Sequence, residues 1–234
     1  MNYKRKKEFK LATLTQISEW VVNTDGKPNI PASVDKLLIA AKLRKDDIPR
    51  NINAILDALE IVAVPYNFKK IESMGLKRVD GSKIERGSIS AAVVQKNDIP
   101  TILYRQSTSV ESIRFAVAHE LGHIILHTKA VQDDVLFLQT RSHADVIKDV
   151  MPNDKKNIVT ATKEQEKQAE DFANELTMPE SSFYINYEQA NQDAFDDLDL
   201  MEKLVKKYRV TYMLMEQRIN NLTDKLHLTQ RRDS

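Results

Sequence analysis

Apolar positions recur at spacings of three and four along most of this chain, and in short β-prone runs only in its middle. The first pattern predicts amphipathic helices, the second strands. Phe9, Leu11, Leu14, Ile17, Trp20 and Val21 predict a helix over 8–22. Asp25-Gly26, Pro28 and Pro31 break the chain. Ser33 is the expected N-cap of a helix over Val34–Leu43, and Asn51–Leu59 is a third short helix. Ile61–Val64 then reads as a strand stopped by Pro65, and 81–87 is polar and turn-like. Ser88–Val94 and Pro100–Tyr104 are the next strands, with Asn97-Asp98 as the turn between them. A helix follows from a Ser109 cap to about His127, on the apolar stripe Phe115, Ala118, Leu121, Ile125 and Leu126. Residues 129–160 carry no clear period. Thr162 and Gln165 resemble a capping box opening a helix whose stripe is Ala169, Phe172, Ala173 and Leu176. Two tail helices, Asp196–Lys207 and Thr211–Leu222, complete the pattern, and disorder is expected from His227.

These elements predict an α+β fold, mostly helical. A small sheet of about three strands packs on the 109–127 helix. The expected organisation is a helical segment over 1–60, a central domain over 61–190, a helical tail over 191–226 and a disordered end over 227–234. The helical segment is expected to pack on the central domain, with a substrate- or partner-docking role as the alternative.

Composition and charge narrow this picture. The 234 residues include no cysteine, so disulfides and thiolate-held zinc are excluded and a metal site must use histidine and carboxylates. Lys4-Arg-Lys-Lys7 has no apolar run behind it, which argues against a signal peptide, and no stretch is apolar enough to span a membrane. A net charge of +1 points to neither a nucleic-acid nor an acidic partner. The two tail helices resemble a helix-turn-helix, but Thr211–Arg218 is not basic enough for a recognition helix, so packing is the favoured reading and direct DNA binding is not expected.

The candidate chemistry lies on the 109–127 helix. His119 and His123 are four apart and project from one face, one turn above the other. That spacing suits two ligands of one tetrahedral zinc ion, and Glu120 between them suits a general base acting on a water polarised there. Such a site needs a third protein ligand from elsewhere in the fold. Glu166 is placed for it on the next clear helix, with Glu170 one turn on as the alternative. Gly122 inside a helix implies close approach of another backbone. An oxyanion stabiliser such as Tyr104 is required but not identified.

Two separated motifs carry a family resemblance: Phe115-Ala-Val-Ala-His-Glu-Leu-Gly-His-Ile-Ile-Leu-His127, and Glu166-Lys-Gln-Ala-Glu-Asp-Phe-Ala-Asn-Glu-Leu-Thr-Met-Pro179. In order and spacing they resemble the ImmA/IrrE zinc metallopeptidases, which show HExxH, then E-x-x-A-x-x-F-A and a closing L-L-M-P. The resemblance covers about residues 60–222 and leaves the first helices aside. It implies a zincin-like fold, zinc held by His119, His123 and Glu166, and Glu120 as the base. Many members carry Glu where this chain has Gln168, and Thr177 replaces the second Leu of the closing motif. His127 reads as structural or as a support for a ligand, rather than as a ligand. The resemblance further implies a cytoplasmic peptidase that cleaves a transcriptional repressor of a prophage or mobile element. A non-catalytic regulator that binds and displaces a repressor is the alternative.

Overall fold

A computed structural model describes residues 21, 23–24, 27–69, 90–96, 99–106, 109–127 and 161–230. The helix expected over 8–22 apart from Val21, the Lys4–Lys7 cluster, the turns at 81–87 and 97–98, and the unassigned stretch 129–160 lie outside the described residues.

The described chain is mostly helical with a small mixed sheet, as the apolar pattern predicts. A two-stranded ladder, β1 (Asn23–Thr24) and β2 (Lys27–Pro28), was not anticipated. Helix α1 spans Ile30–Ala40, four residues earlier than expected at its start. Its N-cap is Asn29, whose side chain accepts from the Ala32 amide at 3.1 Å, and not Ser33, whose hydroxyl donates back to the Asn29 carbonyl. Pro31, expected as a break, sits in the first turn, where its missing N–H costs no hydrogen bond. Helix α2 (Ile52–Ala58) is capped by Asn51.

Strand β3 (Val62–Tyr66) runs through Pro65 rather than stopping there. It pairs in parallel with β5 (Ile99–Arg105), which pairs antiparallel with β4 (Ala91–Lys96), giving the order β3-β5-β4. Among the described residues β3 is an edge strand, which is where a ladder accommodates proline. Strand β4 starts three residues later than expected and extends to Lys96.

Helix α3 (Val110–Leu126) begins at Ser109, whose side chain accepts from the Ser112 amide, and ends at His127. It lies between the sheet, on the β4 and β5 side, and α4 (Lys163–Thr177). That position explains why its buried set exceeds a single stripe: Val117, Ala118, Leu121, Ile124 and Ile125 are all enclosed, while Phe115 and Leu126 are only partly so. Gly122 meets the close approach its presence implied. A Cβ there would stand 3.1 Å from Ala169 Cα and 3.1 Å from Phe172 Cβ. Helix α4 opens with the capping box Thr162–Gln165 and buries Ala169, Phe172, Ala173 and Leu176. Helix α1 packs on α4, and residues of α1, α2, the sheet, α3 and α4 form one apolar core.

Three helices follow α4, not two. Helix α5 (Glu180–Asp193) was missed, although Phe183, Tyr187 and Ala190 keep helical spacing. Helix α6 (Asp197–Tyr208) is capped by Asp196, and α7 runs over Tyr212–Gln230. The disorder expected from His227 is corrected for 227–230, which are helical. Met178, Phe183, Leu200, Leu204, Tyr208, Val210, Leu214 and Met215 form a second core, with Phe115 of α3 packed against both. The tail helices pack through Leu200, Leu204, Tyr208, Leu214 and Met215, the role the favoured reading gave them.

Candidate metal centre

Two helices build the site. On α3, the four-residue spacing stacks His119 above His123, and their Nε2 atoms lie 3.1 Å apart. Helix α4 crosses α3 at Gly122, and this contact brings its first turn over the two rings. Glu166 Oε2 lies 3.2 Å from His119 Nε2 and 3.8 Å from His123 Nε2. Donor atoms from these three residues all fall within 4.8 Å of one another. Glu170, the alternative third partner, is not in this cluster, although its charge acts on His119.

The donor set fits a metal of zinc's type. Ligand atoms held tetrahedrally at about 2.0–2.1 Å from one zinc ion stand about 3.3 Å apart. The observed separations of 3.1, 3.2 and 3.8 Å bracket that value. Two imidazoles and one carboxylate, with no sulfur, are also a donor set that leaves a position open for substrate or water.

Charge is distributed to match. Burial works to lower the His119 pKa, but its hydrogen bond to Glu166 and the Glu120, Glu166 and Glu170 charges outweigh burial and raise it. Burial works to raise the Glu166 pKa, yet the hydrogen bonds from His119 and His123 and their charges hold it far below the usual carboxylate range. Glu166 also sits in the first turn of α4, where the helix dipole favours an anion. Glu120 behaves differently. Its side chain points into the fold, and burial raises its pKa against the opposing pull of His123, His119 and the backbone amide of Val93 in β4. The Val93 contact left no trace in the sequence, because any residue but proline supplies the same N–H.

One more side chain, His127, touches the cluster. His127 Nδ1 lies 3.1 Å from His123 Nδ1, and His127 Nε2 lies 3.0 Å from Gln168 Oε1. His127 therefore contacts a cluster member without belonging to the cluster. Tyr104 lies on β5 and packs, half-buried, against the main core.

Comparison with known proteins bears on this arrangement. A peptidase family model, described as the IrrE N-terminal-like domain, matches residues 71–220. The chain belongs to this peptidase family. The match contains both helices of the His119–His123–Glu166 cluster and reaches into α7. It is the family that the two motifs resemble. No curated protein and no solved structure matches the chain significantly.

Proposed function

We propose that the protein is a zinc-dependent peptidase in which His119, His123 and Glu166 hold the metal and Glu120 is the general base. The observation that carries this reading is the convergence of those three donors, within 4.8 Å, beside a buried glutamate in a chain of a peptidase family. Zinc at this position would supply Lewis acidity toward the scissile carbonyl and the attacking water. Glu120 accepts a proton from that water as its oxygen bonds to the carbonyl carbon. It returns the proton to the amide nitrogen as the C–N bond breaks, releasing an amine and a carboxylate. A raised pKa suits this double role, since the protonated form must persist long enough to reach the leaving nitrogen. Strand β4, an edge among the described residues, offers an extended substrate segment a backbone to pair with next to Glu120.

The family resemblance supports a narrower reading. In it the substrate is a transcriptional repressor of a prophage or mobile element, cleaved in the cytoplasm to relieve repression. No described helix is long and apolar enough to cross a membrane.

Incubation with a candidate repressor, read by mass spectrometry, tests the proposal. Wild type yields two fragments whose masses sum to the substrate plus one water. Glu120→Gln keeps the metal and loses about 10²–10⁴-fold in cleavage rate, the usual contribution of a general base. His119→Ala loses the metal. A repressor that is bound but never shortened by the zinc-loaded protein would replace catalysis with displacement.

A further inference from the structure

Cluster ligands bind a metal through a bare imidazole nitrogen, so each histidine must carry its proton on the far nitrogen. The geometry points to a device that enforces this for His123: a hydrogen-bond chain, Glu164–Gln168–His127–His123, that fixes its tautomer from the surface of α4. The inference rests on the proposed metal site.

The direction of the chain follows link by link. Gln168 Nε2 donates to Glu164 Oε1 at 3.1 Å. A carboxylate only accepts, so this bond fixes which end of the Gln168 amide faces away from it. Gln168 Oε1 therefore faces His127 Nε2, at 3.0 Å, and an amide oxygen also only accepts. His127 carries its proton on Nε2, and its Nδ1 is an acceptor. His123 Nδ1, at 3.1 Å, must then be the donor. What remains on His123 is a bare Nε2, facing His119 Nε2 and Glu166.

The opposite polarity fails at its outer end. Turning the Gln168 amide over would place its oxygen against the Glu164 carboxylate, and would leave His123 with its proton on Nε2, unable to bind metal. Gln168 and His127 are thus positioning residues, and Glu164 selects the orientation of both. The links are built from four-residue helical spacings, 123/127 on α3 and 164/168 on α4, joined where the two helices meet.

Ring ¹⁵N NMR of the metal-free protein near pH 8, followed by zinc titration, tests this. Expected in wild type are the Nδ1–H form of His123 and the Nε2–H form of His127. Gln168→Met removes the acceptor at nearly constant volume. It should mix the tautomers of both rings and weaken zinc binding about 10–100-fold, the usual effect of losing a ligand's outer partner. Gln168→Glu restores an acceptor and should restore both readouts. An unchanged melting temperature in Gln168→Met separates this from misfolding, and if that variant does not fold, the wild-type tautomers alone decide. An Nε2–H His123 in metal-free wild type, or a folded Gln168→Met that keeps both tautomers and zinc affinity, overturns the proposal. Wild type with the expected tautomers but no zinc binding would instead overturn the metal reading and leave the chain standing.

Discussion

His119 shows how a few ångströms set a pH dependence. Its proton is held by Glu166 and the nearby carboxylates, which raise its pKa above the ordinary 6.5 despite burial. Zinc requires the neutral ring, so metal and proton compete for the same nitrogen. Below the raised pKa, zinc affinity should fall about tenfold per pH unit, and it should level off above it. Glu166 adds nothing to this slope near neutrality, because its pKa lies far lower. Zinc titrations by calorimetry from pH 5.5 to 8.5 check the sign; an affinity flat across that range would contradict it. Gly122 is the second residue whose surroundings decide its identity. Alanine there would gain about 1 kcal/mol of helix propensity. Its Cβ, however, would press at 3.1 Å on Ala169 Cα and at 3.2 Å on the Ala169 carbonyl oxygen, both backbone of α4. Overpacking of this kind costs about 1–3 kcal/mol, so Gly122→Ala should be destabilising on balance. Because α4 carries Glu166, zinc binding should weaken as well. Urea unfolding with a parallel zinc titration tests both, and a variant unchanged in both would show that α4 yields freely.

At the scale of elements, α3 and α4 were legible because their local signals agree. Caps, apolar spacing and the HExxH motif all give the same boundaries, and the structure places them within a residue or two. The Thr162–Gln165 capping box orders the first turn of α4, the turn that carries Glu164 and Glu166. Thr162→Ala should cost about 1 kcal/mol of stability, measured by urea unfolding, with no change of fold. A loss below a few tenths would mean the turn is held by its contact with α3 instead. Elements were misread where two local signals conflict. Pro65 says stop, while the pairing of β3 with β5 says continue, and a ladder on one side only lets the strand pass through it. Helix α5 has polar residues at most positions and only Phe183 fully buried, so its period was too faint to stand out.

The described parts of the molecule are tied together by buried and half-buried guanidinium groups that donate to backbone carbonyls. Arg114 of α3 reaches the Tyr208 and Arg209 carbonyls at the end of α6, at 2.8 and 3.1 Å, and the Arg50 carbonyl at 2.9 Å. Arg50 in turn donates to the Glu175 carbonyl in the last turn of α4, and Arg218 of α7 to Met178, the residue that caps it. One helix thereby holds the segment before the sheet and the tail after the site. Burial and the neighbouring Arg209 lower the Arg114 pKa to about 10, so it stays charged at neutral pH. Arg114→Met keeps much of the packing volume but leaves three carbonyls without their donor. Each charged hydrogen bond of this kind contributes about 1.5–3 kcal/mol, shared among partners, so a loss of about 2–4 kcal/mol is expected in urea unfolding. A loss under 1 kcal/mol would show that the two apolar cores alone join the parts.

The sequence by itself determined the helical character, the stacking of His119 and His123, the position of Glu120 and the need for a close neighbour at Gly122. All follow from spacing along one helix, which the backbone repeats every 3.6 residues. Tertiary structure decided what spacing cannot reach: that Glu166 rather than Glu170 joins the two histidines, that a Val93 amide holds Glu120, and that Gln168 lies beside His127. These depend on the angle and depth at which α4 and β4 meet α3. That packing is set by apolar contacts between residues distant in sequence, and no local period records it.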